Sequence, residues 1–179
     1  MKKVMVAICL SLLLTASVIM AEPTGVGVYA GSILPIVQAD QGTGYTLGLK
    51  ARIRLNDLFV LEPNLNFGSY GEAEEDGVGT REGSSITHYG VDLVLGNKLA
   101  TLGFKPYAFI GGALYNTKRD GDETTNKSGW SLGLGFAMGL SPKMDLDVRG
   151  RANIAASEGS STRKSVGVTG GITYYFGTE

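Results

Sequence analysis

The sequence predicts an all-β chain, an eight-stranded antiparallel transmembrane β-barrel with an N-terminal signal peptide. Three observations predict it. From Val26 onward, segment after segment alternates apolar and polar residues with the period of two that belongs to a strand. The connections between segments alternate in kind, very short turns with longer polar stretches. Aromatic residues gather near the segment ends, around an aliphatic middle.

The chain opens on Lys2 and Lys3, then an almost unbroken apolar run over Val4–Leu14, with the small Ala21 before Glu22-Pro23. This is the layout of a secretory signal over residues 1–21, and the run is short for a membrane-spanning helix. Residues 22–179 are then the barrel domain. The only cysteine, Cys9, lies in the signal, so the exported part has no disulfide framework and no cysteine metal site. Without Lys2 and Lys3 the 16 Lys+Arg fall to 14, against 17 Asp+Glu. That balance argues against a nucleic-acid partner, which needs a basic face. No further run of about 20 apolar residues follows, so a membrane can be crossed only by strands.

The strands read in order. In 45–55, Tyr45, Leu47, Leu49, Ala51, Ile53 and Leu55 share one face, with Thr46, Gly48, Lys50, Arg52 and Arg54 on the other, and Asn56-Asp57 turns the chain. Phe59, Leu61, Pro63, Leu65 and Phe67 then oppose Glu62, Asn64, Asn66 and Gly68. Pro63 removes a ladder donor and predicts a bulge or a locally broken hydrogen bond; Pro35 raises the same doubt for the first strand. Thr87, Tyr89, Val91, Leu93 and Leu95 oppose His88, Gly90, Asp92 and Gly96. Trp130, Leu132, Leu134, Phe136, Met138 and Leu140 oppose Ser131, Gly133, Gly135, Ala137 and Gly139, before a turn at Ser141-Pro142-Lys143. Met144, Leu146, Val148, Ala152 and Ile154 oppose Asp145, Asp147, Arg149, Arg151 and Asn153. Val166, Val168, Ile172, Tyr174 and Phe176 oppose Gly167, Thr169, Gly171 and Thr173. Two strands alternate weakly. Val26–Val37 is apolar on both faces and its orientation stays open. For Phe104–Asn116, Tyr107, Phe109, Gly111, Ala113 and Tyr115 are expected outward, because that completes two aromatic girdles. One girdle is Tyr45, Phe67, Tyr89, Tyr115 and Trp130 at the long-loop rim; the other is Phe59, Tyr107, Tyr174 and Phe176 at the short-turn rim. A water-facing surface of Ser131, Gly133, Gly135, Ala137 and Gly139 would be odd for a soluble sandwich, whereas a crowded lumen explains it.

Thr169-Gly170-Gly171-Ile172-Thr173-Tyr174-Tyr175-Phe176 and Lys105-Pro106-Tyr107 carry a resemblance. With the strand pattern, residues 24–176 resemble the OmpA-like and OmpX-like, porin-family-like small barrels of the bacterial outer membrane. The resemblance implies an assembly signal at Gly171, Tyr174 and Phe176, read by the barrel-assembly machinery after escort by periplasmic chaperones. It also implies a monomer among outer-membrane lipids and lipopolysaccharide. Gly177–Glu179 run past the aromatic on which such barrels usually end. The expected role is non-enzymatic: structural, keeping envelope integrity, or interacting at the surface. The alternative is a narrow porin-like channel for small solutes, and a distant one is an enzyme that modifies lipid A.

The candidate lumen residues are Lys50, Arg52, Arg54, Glu62, Asp92, Asp145, Asp147, Arg149 and Arg151. Eight strands enclose only enough space for side chains, so these charges are expected to pair and fill the interior; a polar conduit is the competing reading. Gly129-Trp130-Ser131-Leu132-Gly133 matches a hydrolase string but lies in a straight strand, without the elbow the chemistry needs. His88, the only histidine, has Ser84 and Ser85 nearby but no matching carboxylate. The acidic groups Glu72, Glu74, Glu75, Asp76 and Asp120, Asp122, Glu123 lack calcium-loop spacing and read as solvated loop tips. No cofactor or metal is expected.

Overall fold

The computed structural model describes residues 24–36, 42–75, 79–81, 83–96, 101–119, 124–155 and 163–176. The expected signal lies outside them. The elements are β1 (Thr24–Pro35), β2 (Gly42–Arg54), β3 (Phe59–Gly71), β4 (Ala73–Glu75), β5 (Gly79–Arg81), β6 (Ser84–Leu95), β7 (Gly103–Arg119), β8 (Thr125–Ser141), β9 (Met144–Ala155) and β10 (Arg163–Phe176). Eight of them close a barrel in the order β1-β10-β9-β8-β7-β6-β3-β2, while β4 and β5 form a small hairpin of their own between β3 and β6. All pairs are antiparallel, and β1 closes onto β10 from Thr24–Phe176 to Pro35–Ser165. Closure leaves no strand edge, which is what lets a sheet cross lipid.

Local chemistry places the turns. Asn56 Oδ1 accepts from the backbone N–H of Leu58 at 2.9 Å and of Phe59 at 2.8 Å, folding the β2–β3 connection into an Asx turn. Ser141 Oγ accepts from Lys143 N at 3.2 Å in the β8–β9 turn. Gly96 and Gly103 flank the third short connection with φ of 94° and 100°, a region that favours glycine. At Pro63 there is no bulge. The β2–β3 ladder runs to Lys50–Asn64 and resumes in the same register at Ile53–Leu61, so the proline costs a local break only.

The outward face is a continuous apolar surface, including Leu47, Leu49, Val91, Leu132, Leu134 and Val168, with Leu134 71% exposed. For a soluble protein this would be an untenable patch; for a barrel in lipid it is the expected wall. β1 sends Val26, Val28 and Leu34 outward and Tyr29 and Ile33 inward, which assigns the strand whose orientation was open.

β7 overturns its expectation. Tyr107, Phe109, Ala113 and Tyr115 are buried in the lumen, and Phe104, Ile110 and Leu114 face outward. The cause is the neighbouring strand. Tyr107 pairs with Gly135 and Phe109 with Gly133 across β7–β8. A Cβ at Gly135 would fall 2.5 Å from Tyr107 Cζ, and one at Gly133 2.6 Å from Phe109 Cζ. The small inward face of β8 is thus filled by the rings of β7. Tyr29 over Gly48 and Tyr175 over Gly25 repeat the device. Both girdles change accordingly. Tyr45, Phe67, Tyr89 and Trp130 remain outward at the loop rim without Tyr115. At the turn rim Tyr107 is replaced by Phe104, whose ring lies 5.2 Å from that of Phe136.

Candidate functional site: the lumen

The lumen divides by height. Its turn-side half is an ion network built mainly from β2, β3, β7 and β9. Glu62 is fully buried and accepts from Arg52 Nε at 2.7 Å, Arg149 Nη1 at 2.6 Å and Arg149 Nη2 at 3.0 Å. Asp147 accepts from Lys50 Nζ at 2.8 Å, Arg52 Nη2 at 3.0 Å and the Tyr107 hydroxyl at 2.5 Å. Asp145 takes Lys105 Nζ on both oxygens at 2.6 Å and the Tyr175 hydroxyl at 2.6 Å. Asp92 accepts from Arg151 Nη2, and from Asn64 Nδ2 at 3.0 Å. The rings of β7 brace the guanidinium groups: Arg149 and Arg151 lie 5.0 and 4.9 Å from the Phe109 centroid. Burying these charges is tolerable only because each carboxylate has several donors.

Of the nine charges read from the sequence, eight meet in this network. Arg54 does not. It sits at the turn rim, 28% exposed, paired with Asp57 of the adjoining turn. Lys105, Tyr107 and Tyr175 belong to the network and were missed. One signal could have found Lys105 and Tyr107: they share a face, so turning the ring outward also sends a lysine toward lipid.

The loop-side half is less full, and apart from Arg151 the described residues that line it are neutral. A cavity of about 50 Å³ lies there, with Tyr29, Asn66, His88, Asn153 and Thr169 in its walls and Arg151 where it meets the network. That is room for a few water molecules. His88 Nδ1 lies 3.1 Å from Asn66 Nδ2, and its ring lies 4.7 Å from that of Tyr115. With an amide donor on Nδ1, the neutral imidazole carries its proton on Nε2. That Nε2 has no hydrogen-bond partner among the described residues, nor do the Tyr29 hydroxyl and Thr169 Oγ1. The hydrogen-bond partner that His88 shows among the described residues is Asn66, neither a serine nor a carboxylate. Ser131, from the hydrolase-like string, lies in straight β8 and donates to Asp92 at 3.4 Å. Asp76 and 120–123 lie outside the described residues.

The three residues expected to form an assembly signal do not share one face. Tyr174 and Phe176 point outward with ring centroids 5.2 Å apart, whereas Gly171 lies on the lumen-facing side of β10, where a Cβ would fall 2.6 Å from Tyr29 Cβ.

An apolar outer wall, a closed antiparallel ladder and an ion-paired interior define an outer-membrane β-barrel protein. The chain belongs to the outer membrane protein beta-barrel domain family, whose model matches residues 6–176, and its place is the bacterial outer membrane. Solved structures agree on the fold. Neisserial surface protein A is similar over 87% of this chain and 99% of its own, with 16% identity and a TM-score of 0.64. The N-terminal β-barrel domain of Pseudomonas aeruginosa OprF is 15% identical, covering 85% of this chain and 97% of its own, with a TM-score of 0.56. Pseudomonas aeruginosa OprG is 14% identical, covering 87% and 96%, also with a TM-score of 0.56. No curated protein sequence matches the chain.

Proposed function

We propose that this is a non-enzymatic, non-conducting barrel that serves the envelope as a structural element and displays its long connections at the cell surface. The observation that carries the reading is the turn-side network. Arg52, Glu62, Asp145 and Tyr175 are fully buried and joined by ion pairs and hydrogen bonds. A solute crossing there would have to part charges that each cost several kcal/mol to leave alone. Planar-bilayer recording of the purified barrel tests it. Silence at neutral pH is the expected result. Discrete single-channel steps from the wild-type protein would overturn it in favour of a narrow channel.

Tyr174 and Phe176 at the lipid-facing end of β10 are proposed as the handle by which the assembly machinery takes hold of the last strand. Phe176→Ala should lower the amount of heat-modifiable, folded barrel in the membrane. Unchanged levels would count against that role.

A further inference from the structure

The interior charge does not balance. Lys50, Arg52, Lys105 and Arg149 are buried cations, and Glu62, Asp92, Asp145 and Asp147 are the buried carboxylates facing them. Arg151 is a fifth cation, at the top of the network, and it shares Asp92 with Arg149. Among the described residues of the network, cations therefore outnumber carboxylates by one. Arg151, itself bonded to Asp92, is the cation that lines the loop-side cavity.

Among the described residues four buried polar side-chain atoms have no hydrogen-bond partner; one, Thr173 Oγ1, belongs to a residue outside this cavity, and the other three belong to residues that line it. The Tyr29 hydroxyl, His88 Nε2 and Thr169 Oγ1 come from three different strands. All three residues line this cavity, and none is more than 7% exposed. A buried polar group without a partner is costly, and three in one small space beside the Arg151 guanidinium could all donate to a single acceptor. Among the described residues, no carboxylate lines the cavity. Water could satisfy the donors, but it would leave the charge uncompensated.

We propose that the loop-side cavity is a binding site for one small monovalent anion, of formate or chloride size. The anion rests on the Arg151 guanidinium and accepts hydrogen bonds from Tyr29, His88 and Thr169. Its charge completes the interior balance. The site is independent of whether the barrel conducts, because it lies on the loop side of the network.

His88 is the only histidine, so its imidazole gives an isolated NMR signal in selectively ¹⁵N-labelled, refolded full-length barrel. Sodium formate is titrated in chloride-free buffer, with neutral formamide as a probe of the same shape. The expected result is a saturable shift of the His88 ring signals by formate and none by formamide. Tyr29→Phe and Thr169→Val each remove one donor while keeping nearly the same volume, and each should weaken formate binding by about tenfold, the usual effect of one hydrogen bond to a charged group. The formate–formamide comparison needs no variant. No saturable formate shift, an equal response to formamide, or a shift that both variants leave unchanged would each overturn the anion site and leave a merely hydrated cavity.

Discussion

The two halves of the lumen solve one problem in opposite ways. Both must fill the inside of an eight-stranded barrel with side chains the surrounding sheet can satisfy. On the turn side, long charged residues interlock, and even ring hydroxyls are used: Tyr107 donates to Asp147 at 2.5 Å and accepts from Arg149 Nε at 3.1 Å. On the loop side the described residues that line the cavity are neutral apart from Arg151, and Tyr29, placed over a glycine much as Tyr107 is, has a hydroxyl without a partner among them. Rigidity is thus concentrated at the turn-side end, and adaptability at the end nearest the surface. Each difference can be measured.

The largest effect is expected at the centre of the network. Glu62→Gln leaves the Arg52 and Arg149 guanidinium groups facing a neutral amide, and breaking a buried pair from one side costs about 3–5 kcal/mol. A urea titration of the barrel in lipid vesicles reads this directly. A loss below 1 kcal/mol would mean that the network is looser than its distances.

The wall comes next, and it separates inside from outside. Leu134→Arg puts a cation on the lipid face and should cost about 2–4 kcal/mol near the midplane. Leu134→Phe should be almost neutral, since lipid accommodates a shape that a packed core would not. Equal costs for the two substitutions in the same titration would argue against a lipid-facing wall.

The third test compares two hydroxyls. Tyr107→Phe removes hydrogen bonds to two charged groups and should cost about 1.5–3 kcal/mol. Tyr29→Phe removes an unpartnered group and should leave anion-free stability unchanged or raise it by up to about 1 kcal/mol. Similar losses for both would erase the distinction between the halves.

The smallest contrast concerns the glycines beneath those rings. A Cβ at Gly135 would meet the anchored Tyr107 ring at 2.5 Å and the Val148 carbonyl at 2.8 Å. The atoms nearest a Cβ at Gly48 would be side-chain ones, the Tyr29 ring at 2.4 Å and Asn66 Oδ1 at 2.6 Å, with the cavity beside them. Gly135→Ala should therefore cost about 1–3 kcal/mol by overpacking, and Gly48→Ala about half as much. The reverse order in unfolding titrations would place the soft region at the wrong end.

Much of this molecule was legible in the sequence by itself. The alternation of β2, β3, β6, β8, β9 and β10 reports the strands and their faces together, because a side-chain period of two cannot be satisfied any other way. Asn56 and Ser141 mark their turns through hydrogen bonds to backbone one to three residues away, so no distant contact is needed. Eight of the nine lumen charges follow from the same alternation. Arg54 escapes because alternation reports the face of a strand and not the height at which it ends. What only the tertiary structure decided is the sense of β7 and everything that depends on it. Phe104–Asn116 is apolar on both faces, and lipid rewards either orientation of its rings about equally. The choice is made by the register of β7 on β8, which sets Tyr107 over Gly135 and Phe109 over Gly133, the space β8 leaves open. That same turn of the strand brings Lys105 inward to Asp145. A pattern read along one chain segment holds no information about which glycine its neighbour will present, so the interior network and the cavity above it exist only once the barrel has closed.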